Sequence, residues 1–417
     1  MAHSPHALGR VLRAALLLSV ACGGVPSDPG GGVAPARLDA LPRTLTASET
    51  RIIGAANAFS FSLFRRVNSS PDSNVFTSPL SASFALGMAM NGAAGATLEQ
   101  MRSALALGDA TDAEINAGYK GLMELMRGLD PRVELRIANA IWSNTGFPVE
   151  PSFVAVSRDY FGAQVATLDF ANPASVTTIN QWVSGATAQK IPTIVDALER
   201  DLVMLLVNAI YFKGSWREKF DPALTQDAAF HGVAGDQPAK LMHRDDDMRY
   251  VGTADFQAVD LPYGNSAFTM TVVLPKQGGS VETVASSLEG AQWSAWMSQF
   301  REARVDLHLP RFTVKWERML NADLEALGMR DAFIDGGADF SRLTPLGRQA
   351  FISFVKQKTY VDVNEEGTEA AAVTAVGVSV TSAPQTVVMR VDRPFLFVIR
   401  ERLSGTVLFM GKIVRLP

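Results

Sequence analysis

Cysteine and histidine are scarce in this chain of 417 residues. The one cysteine is Cys22, and the five histidines are His3, His6, His231, His243 and His308. They form neither an HExxH pattern nor a cysteine–histidine spacing typical of zinc sites. We therefore expect no metal, no cofactor and no disulfide in the folded part of the chain.

The short motifs of common enzymes are absent too, since there is no GxSxG, no Walker loop and no GxGxxG. A Ser-His-Asp triad assembled from distant residues stays open, but no residue stands out for it. His243 lies just before Asp245–Asp247, which could form a ligand cluster or a solvated turn, and the turn is the favoured interpretation. We expect a protein that is not an enzyme.

No charge of one sign dominates, because 38 lysines and arginines face 42 aspartates and glutamates. No basic run occurs, so we expect no nucleic-acid partner. Hydrophobic residues make up 47 % of the chain, which is enough for a large core, and the length alone would admit more than one domain.

The N-terminus has the layout of a secretory signal over residues 1–22. Arg10 and Arg13 precede the short apolar stretch Ala14–Ala21, which is too short to span a membrane. Leu18–Cys22 resembles an imperfect lipobox with serine where leucine is usual, so Cys22 is a candidate lipidation site; the alternative is a plain secretory leader. We expect a secreted or extracytoplasmic protein, with a lipid anchor in a bacterial envelope as the only membrane attachment.

Residues 23–45 are rich in glycine and proline and predict a flexible linker. A folded domain is expected over 46–417. Thr46–Glu49 is a plausible capping box, with Ser48 as the alternative cap, and Ser78-Pro79 and Thr97–Gln100 are further helix starts.

Strand-like runs gather later in the chain. They are Val133–Ile137, Leu202–Phe212, Val272–Leu274, Val305–Leu309, Phe351–Val363, Val387–Val391, Phe395–Ile399 and Val407–Met410, with a helix between them at Met319–Leu327. Helices early and strands late, without βαβ alternation, predict an α+β fold.

One segment stands out from this pattern. From Ala370 to Met389 there is neither a charge nor an aromatic ring, and Pro384 is its first proline. Small and β-branched residues are good strand formers, and such a segment left exposed would favour aggregation. The alternatives are an ordinary alanine-rich loop or a strand with fixed pairing. A long exposed loop with a function of its own is the favoured interpretation.

Several ordered motifs point to one family. They are Asn74–Ser81, Leu206–Trp216, Leu307–Arg311, Glu365–Ala372, Arg393–Arg400 and Gly405–Lys412. Together they resemble the signatures of the serpin family, serine protease inhibitors, of the bacterial inhibitory type, and the resemblance covers roughly residues 47–417. It implies one domain with three β-sheets and about eight or nine helices, and a reactive-centre loop at about 365–391.

The resemblance also implies roles for individual residues. The hinge would comprise Glu365, Glu366, Gly367, Thr368, Glu369, Ala370, Ala371 and Ala372. Polar groups that control the opening of the central sheet, the shutter, would be Ser78, Ser81, Asn208 and Gln357, the last standing where the family often has histidine. An ion pair at the top of the sheet, the breach, would join Arg311 and Glu365 beside Trp216.

The resemblance implies that a protease cuts this loop and that the freed end then inserts as a strand into the central sheet. The inserting strand would point alternate residues inward. If Thr368 enters first, these are Thr368, Ala370, Ala372, Thr374, Val376 and Val378, none charged and none larger than valine. The opposite set holds the charged Glu369.

The scissile bond follows one of three small residues, because family spacing places it after Thr381 from one side and after Ala383 from the other. Thr381-Ser382 is the first choice, and Ser382 is the intermediate candidate. Small uncharged residues favour an elastase-like or subtilisin-like serine protease as target, with a cysteine protease as the alternative. We expect a monomer that acts as a suicide substrate; a non-inhibitory binding or carrier serpin is the runner-up.

Overall fold

The computed structural model describes residues 35–199, 202–368 and 386–416. In these ranges the chain forms nine α-helices. They are α1 Ala47–Val67, α2 Pro79–Met90, α3 Gly95–Ala104, α4 Asp112–Gly128, α5 Pro151–Phe161, α6 Ala174–Ala186, α7 Val281–Ser286, α8 Gly290–Ser298 and α9 Asn321–Ala326.

Local signals set the starts of α1 and α2 as predicted. Thr46 caps α1 in a capping box with Glu49, so Ser48 is not the cap. Ser78 accepts a hydrogen bond at the start of α2, and Pro79 fills its first turn, where no backbone N–H is needed.

The capping box predicted at Thr97 is wrong. The helix begins two residues earlier, at Gly95, and Thr97 is buried inside it. Its hydroxyl instead accepts a hydrogen bond from the backbone N–H of Asp339 at 2.9 Å. A long-range contact therefore replaced the local cap.

Six strands form one sheet. They are β2 Val133–Asn144, β3 Gln164–Leu168, β4 Met204–Ser215, β10 Phe312–Met319, β11 Lys356–Asn364 and β12 Gly367–Thr368. Their order is β10-β11-β12-β4-β2-β3, antiparallel except for the parallel pair β2–β3. The run predicted from Phe351 becomes a strand only at Lys356, and Met319 ends β10 and does not begin a helix.

The other nine strands form a second hydrogen-bonded sheet. They are β1 Val75–Thr77, β5 Gln226–Gly232, β6 Gly235–Gly252, β7 Phe256–Pro262, β8 Phe268–Pro275, β9 Arg301–Pro310, β13 Val387–Arg390, β14 Phe395–Glu401 and β15 Val407–Ile413. The order is β1-β15-β14-β8-β7-β6-β9-β13, with β5 on β6. The long β6 pairs with both β7 and β9, so pairing joins two of the three expected sheets. The α+β fold is confirmed.

The core lies between the sheets and the early helices, with Phe59 of α1, Phe84 of α2 and Phe409 of β15 among its buried rings. A smaller apolar cluster lies under α6, where Ile179 and Val183 cover Trp142 of β2. Val207 of β4 belongs to the same cluster, so α6 packs on β2 and β4 of the six-stranded sheet.

The end of the predicted linker lies against this body. The backbone N–H of Leu38 donates to the carbonyl of Asn265 at 2.8 Å, and Arg217 donates to the carbonyl of Pro35 at 2.7 Å. Leu41 and Leu45 pack on the core. Over the described ranges, no helix is long and apolar enough to cross a membrane.

Candidate functional site

The chain reverses direction between β11 and β12. After Asn364 it turns at Glu365–Glu366, and Gly367 and Thr368 then form β12. Gly367 lies opposite Asn364 on one side and Ser215 on the other. These two residues therefore occupy a place between β11 and β4.

Glycine is required at position 367. Its φ is +149°, and an added Cβ would lie 2.1 Å from the carbonyl oxygen of Gly214 and 2.7 Å from the Cα of Ser215. Any side chain would push β12 away from β4.

Thr368 is 1 % exposed and contacts one member of a stacked aromatic pair. Its hydroxyl lies 2.8 Å from that of Tyr263, and the Tyr263 ring stacks on Trp216 at 4.6 Å between centroids. Burial raises the pKa of Tyr263, although its bond with Thr368 opposes this, so the phenol stays protonated. The first inward residue of the segment therefore already has a hydrogen-bond partner.

Trp216 also fixes the turn. Its indole N–H donates to the carbonyl of Asn364 at 2.9 Å, and its backbone N–H donates to the carbonyl of Glu366 at 2.9 Å. Phe220 donates its backbone N–H to the carbonyl of Glu365 at 3.0 Å. The breach residue predicted beside the ion pair thus binds the backbone of the turn.

The carboxylate of Glu365 is buried, with 4 % of the residue exposed. The guanidinium of Arg311 donates to it at 2.6 Å through Nε, and the hydroxyl of Thr225 donates as well. Burial by itself would raise the pKa of Glu365, but the bonds from Arg311 and Thr225 outweigh it and hold the pKa below its ordinary value. Lys219 pairs with Glu366 at 2.5 Å.

Three of the four predicted shutter residues meet at the start of α2. Gln357 accepts from the hydroxyl of Thr77 at 2.6 Å and from the backbone N–H of Ser78 at 3.0 Å, and it donates to the carbonyl of Ser78 at 2.8 Å. The hydroxyl of Ser78 donates to the carbonyl of Leu408 at 2.8 Å and accepts from the backbone N–H of Ser81 at 3.4 Å. Ser78 is therefore both a helix cap and a link between β11 and β15.

Asn208 makes a separate contact. Its amide donates to the side chain of Asn139 at 2.7 Å, and Asn139 donates to the carbonyl of Phe161 at 2.9 Å. In the described part of the chain, Asn208 has no hydrogen bond to Gln357. Sequence reasoning missed Asn139 and Tyr263. Asn139 could have been noticed as a polar residue within the largely apolar β2.

The other predicted hinge residues, Glu369, Ala370, Ala371 and Ala372, lie outside the described residues. So do the scissile-bond candidates Thr381, Ser382 and Ala383, and the lipidation candidate Cys22. The chain is described up to Thr368 in the six-stranded sheet and again from Thr386, directly before β13 in the nine-stranded one.

The solvated turn predicted at His243 and Asp245–Asp247 is wrong, because these residues belong to β6. Strand pairing brings His243 to Asp306 and His308 of β9, which spacing along the chain could not show. His231 pairs with Asp236 at 2.7 Å. In the described ranges, the carboxylates that pair with these histidines are those of Asp236 and Asp306.

Residues 54–416 match the family model described as Serpin (serine protease inhibitor). The chain is 32 % identical over 394 residues to a serpin-like protein of Thermococcus kodakarensis, covering 93 % of this chain and 91 % of that protein. It is 33 % identical over 371 residues to the leukocyte elastase inhibitor of Equus caballus, covering 85 % and 96 %.

Solved structures agree with these matches. The native state of tengpin, a thermophilic serpin, superposes with a TM-score of 0.82 at 29 % identity, covering 90 % of this chain and 96 % of that one. Human thyroxine-binding globulin superposes with a TM-score of 0.81 at 28 % identity, covering 88 % and 99 %.

Proposed function

Because the chain belongs to the serpin family, we propose that it inhibits a serine protease as a suicide substrate. The protease cuts within residues 369–385, and the freed segment inserts into the six-stranded sheet. Relatives named as protease inhibitors, such as the leukocyte elastase inhibitor of Equus caballus and serine protease inhibitor 42Dd of Drosophila melanogaster, support the general assignment. The hinge, breach and shutter roles given above are part of this proposal.

One observation carries the mechanism: β12 is already the first piece of an additional strand. Thr368 pairs with Val363 and with Gly214, antiparallel on both sides. A strand that continued from Thr368 in this register would place Ala370 between Val361 and Phe212. Both of those side chains are buried, so small residues fit on the inward face of the continued strand.

The same register gives the shutter residues a role. Thr374 would lie between Gln357 and Asn208, because each step along the new strand moves one residue back along both neighbours. Directly opposite residues share a face of the sheet, so the hydroxyl of Thr374 would meet two amide side chains. Gln357 and Asn208 would then exchange their present partners for the inserted threonine.

The chemistry of the cut explains why insertion traps the protease. The serine oxygen of the protease attacks the scissile carbonyl, an ester forms, and the amine of the next residue leaves with a proton. Insertion carries the esterified end along the sheet before water can hydrolyse the ester. At about 0.5–1.5 kcal/mol per net hydrogen bond, roughly a dozen inserted residues supply on the order of ten kcal/mol.

The target class follows from the residues at the cut. Thr381, Ser382 and Ala383 are small and uncharged, which suits elastase-like or subtilisin-like specificity pockets and not those that need arginine or lysine. The match to the leukocyte elastase inhibitor of Equus caballus supports this class. Cysteine proteases, which also acylate, are the alternative targets.

A binding or carrier function is the second candidate, since the fold superposes on thyroxine-binding globulin. The composition of the hinge argues against it, because Ala370–Ala372 offers no bulky, charged or proline residue to stop insertion. We also propose export through the signal at 1–22, with Cys22 as a lipid attachment site.

The test is the covalent complex. Mixed with an elastase-like protease, the chain should give an SDS-resistant one-to-one complex. A protease whose catalytic serine is replaced by alanine should give none. Cleavage without complex formation by every elastase-like, subtilisin-like and cysteine protease tried would overturn the proposal.

A further inference from the structure

Two histidines and an aspartate meet where β6 pairs with β9. His243 lies directly opposite His308, and Asp306 precedes His308 by two residues, so all three side chains lie on one face of the sheet. The two imidazole rings stack with centroids 4.7 Å apart and planes inclined by 20°.

Both rings direct the same atom at one carboxylate oxygen. Nε2 of His243 lies 2.8 Å from Oδ1 of Asp306, and Nε2 of His308 lies 3.2 Å from it. The three side chains are 26 %, 16 % and 30 % exposed, in the order His243, His308, Asp306. They are held by paired strands yet open to a solute, and one ligand atom from each lies within 4.8 Å of the others.

We propose that His243, Asp306 and His308 form a zinc site with a water in the fourth position. Two imidazole nitrogens and one carboxylate oxygen suit Zn²⁺, whereas Ca²⁺ and Mg²⁺ favour oxygen ligands alone. Tetrahedral bonds of about 2.0–2.1 Å need ligand atoms roughly 3.4 Å apart. The two imidazole nitrogens lie 2.8 and 3.2 Å from the carboxylate oxygen. These separations are about 0.6 and 0.2 Å shorter than a tetrahedral site needs, so side-chain rotations must open the cluster around the ion.

The arginines near the three ligand side chains do not pair with Asp306 and so leave its carboxylate available to a metal ion. Arg304 pairs with Asp245 at 2.7 Å, and Arg390, opposite His308 on β13, pairs with Asp392 at 3.2 Å. The two neighbouring arginines are thus engaged by other carboxylates.

The position gives the ion a consequence beyond binding. Asp306 and His308 are the residues of β9 that pair with Val388 and Arg390 of β13. In the described structure β13 is an edge strand that pairs only with β9. Zinc would cross-link β6 to β9 and so stabilise the strand pair that carries β13, next to residues 369–385.

The experiment is zinc titration of the full chain after chelator treatment, by calorimetry and by competition with a chromophoric chelator. His243→Ala and His308→Ala should each weaken binding of one zinc equivalent at least about tenfold, as loss of a ligand requires. His231→Ala is the matched control, since His231 also pairs with an aspartate on the nine-stranded sheet, and it should bind as the wild type does.

Asp306→Asn keeps the shape of the side chain and should also weaken binding. Melting curves in EDTA that match the wild type show that a variant is folded. Cobalt(II) should give visible absorption bands of a low-coordinate site in the wild type and not in His308→Ala. Equal affinity in the wild type and both histidine variants, or no binding by the wild type, would overturn the proposal. No protease enters the assay, so its outcome is independent of inhibition.

Discussion

A single buried carboxylate fixes the turn from which the additional strand begins. Glu365 is surrounded by protein and keeps its charge because Arg311 and Thr225 donate to it. The side chain of Arg311 is almost half exposed, whereas that of Glu365 is buried. The ion pair therefore stabilises the fold mainly by compensating the buried charge of Glu365. Removing the arginine leaves a buried charge with too few donors.

The pKa of Glu365, lowered against burial by Arg311 and Thr225, predicts a pH dependence. A lowered pKa contributes stability above the unfolded value of about 4.3, and this contribution is lost as the pH falls through the folded value. Arg311→Met should therefore lower the free energy of unfolding by about 1–3 kcal/mol at pH 7. The difference in free energy of unfolding between the wild type and the variant, measured with denaturant, should become smaller below about pH 4.

Arg304→Met is the control for this prediction. Arg304 pairs with the exposed Asp245 on the surface of the sheet, and such pairs contribute little. A difference in free energy of unfolding between the wild type and Arg311→Met that stays constant down to pH 3 would contradict the role given to Glu365.

At the scale of elements, β12 should extend only if each added residue fits the slot between its neighbours. Thr368→Arg would place a charge beside Tyr263 on the buried face. Ala370→Pro would remove a ladder donor. Both variants should be cut normally while the yield of covalent complex falls at least about tenfold, a change that about 1.4 kcal/mol suffices to produce.

Glu369→Lys is the matched substitution on the opposite set, which would face away from the core in the register given by Thr368. It should leave the yield of complex close to that of the wild type in gel assays. Complex formation that is undiminished in both Thr368→Arg and Ala370→Pro would refute strand insertion.

The elements differ in how far the sequence could predict them. Thr46 and Ser78 cap their helices through neighbours within three residues, so a local pattern was enough. Thr97 bonds to Asp339, and His243 lies in a strand paired with β9. Contacts with residues distant in the sequence therefore determine the local structure at both positions. Three adjacent aspartates resemble a turn until a partner strand is known.

The candidate site divides in the same way. The ion pair Arg311–Glu365 and the cluster of Ser78, Ser81 and Gln357 were predicted through the family resemblance, and the structure brings each set together. Asn208 was predicted to join that cluster but bonds to Asn139 across adjacent strands. The aromatic support of Thr368 by Tyr263 needed the fold, because nothing in the sequence links residues so far apart.

At the scale of the whole molecule, insertion should change thermal stability. On the order of ten kcal/mol of strand pairing is added by insertion. At an unfolding entropy of about 2.1 cal/mol/K per residue, a domain of roughly 370 residues should then melt roughly 10–15 °C higher after cleavage near Thr381. Calorimetry of the intact and the cut chain measures it.

Ala370→Pro, cut at the same bond, is the control and should show little rise. An unchanged melting temperature in the cut wild type would mean that the intact molecule is already in its most stable arrangement. The mechanism would then fail as a whole.

The ends of residues 369–385 belong to different sheets, because Thr368 pairs within the six-stranded sheet and Val387 pairs with Val305 in the nine-stranded one. In the intact chain, full extension of β12 would have to pull β13 from its neighbour, whereas hydrolysis of one peptide bond separates the two ends. No later step rejoins them. Under the proposed mechanism each molecule would therefore work once, and the amount of protease that can be blocked would be set by the rate of synthesis of this chain.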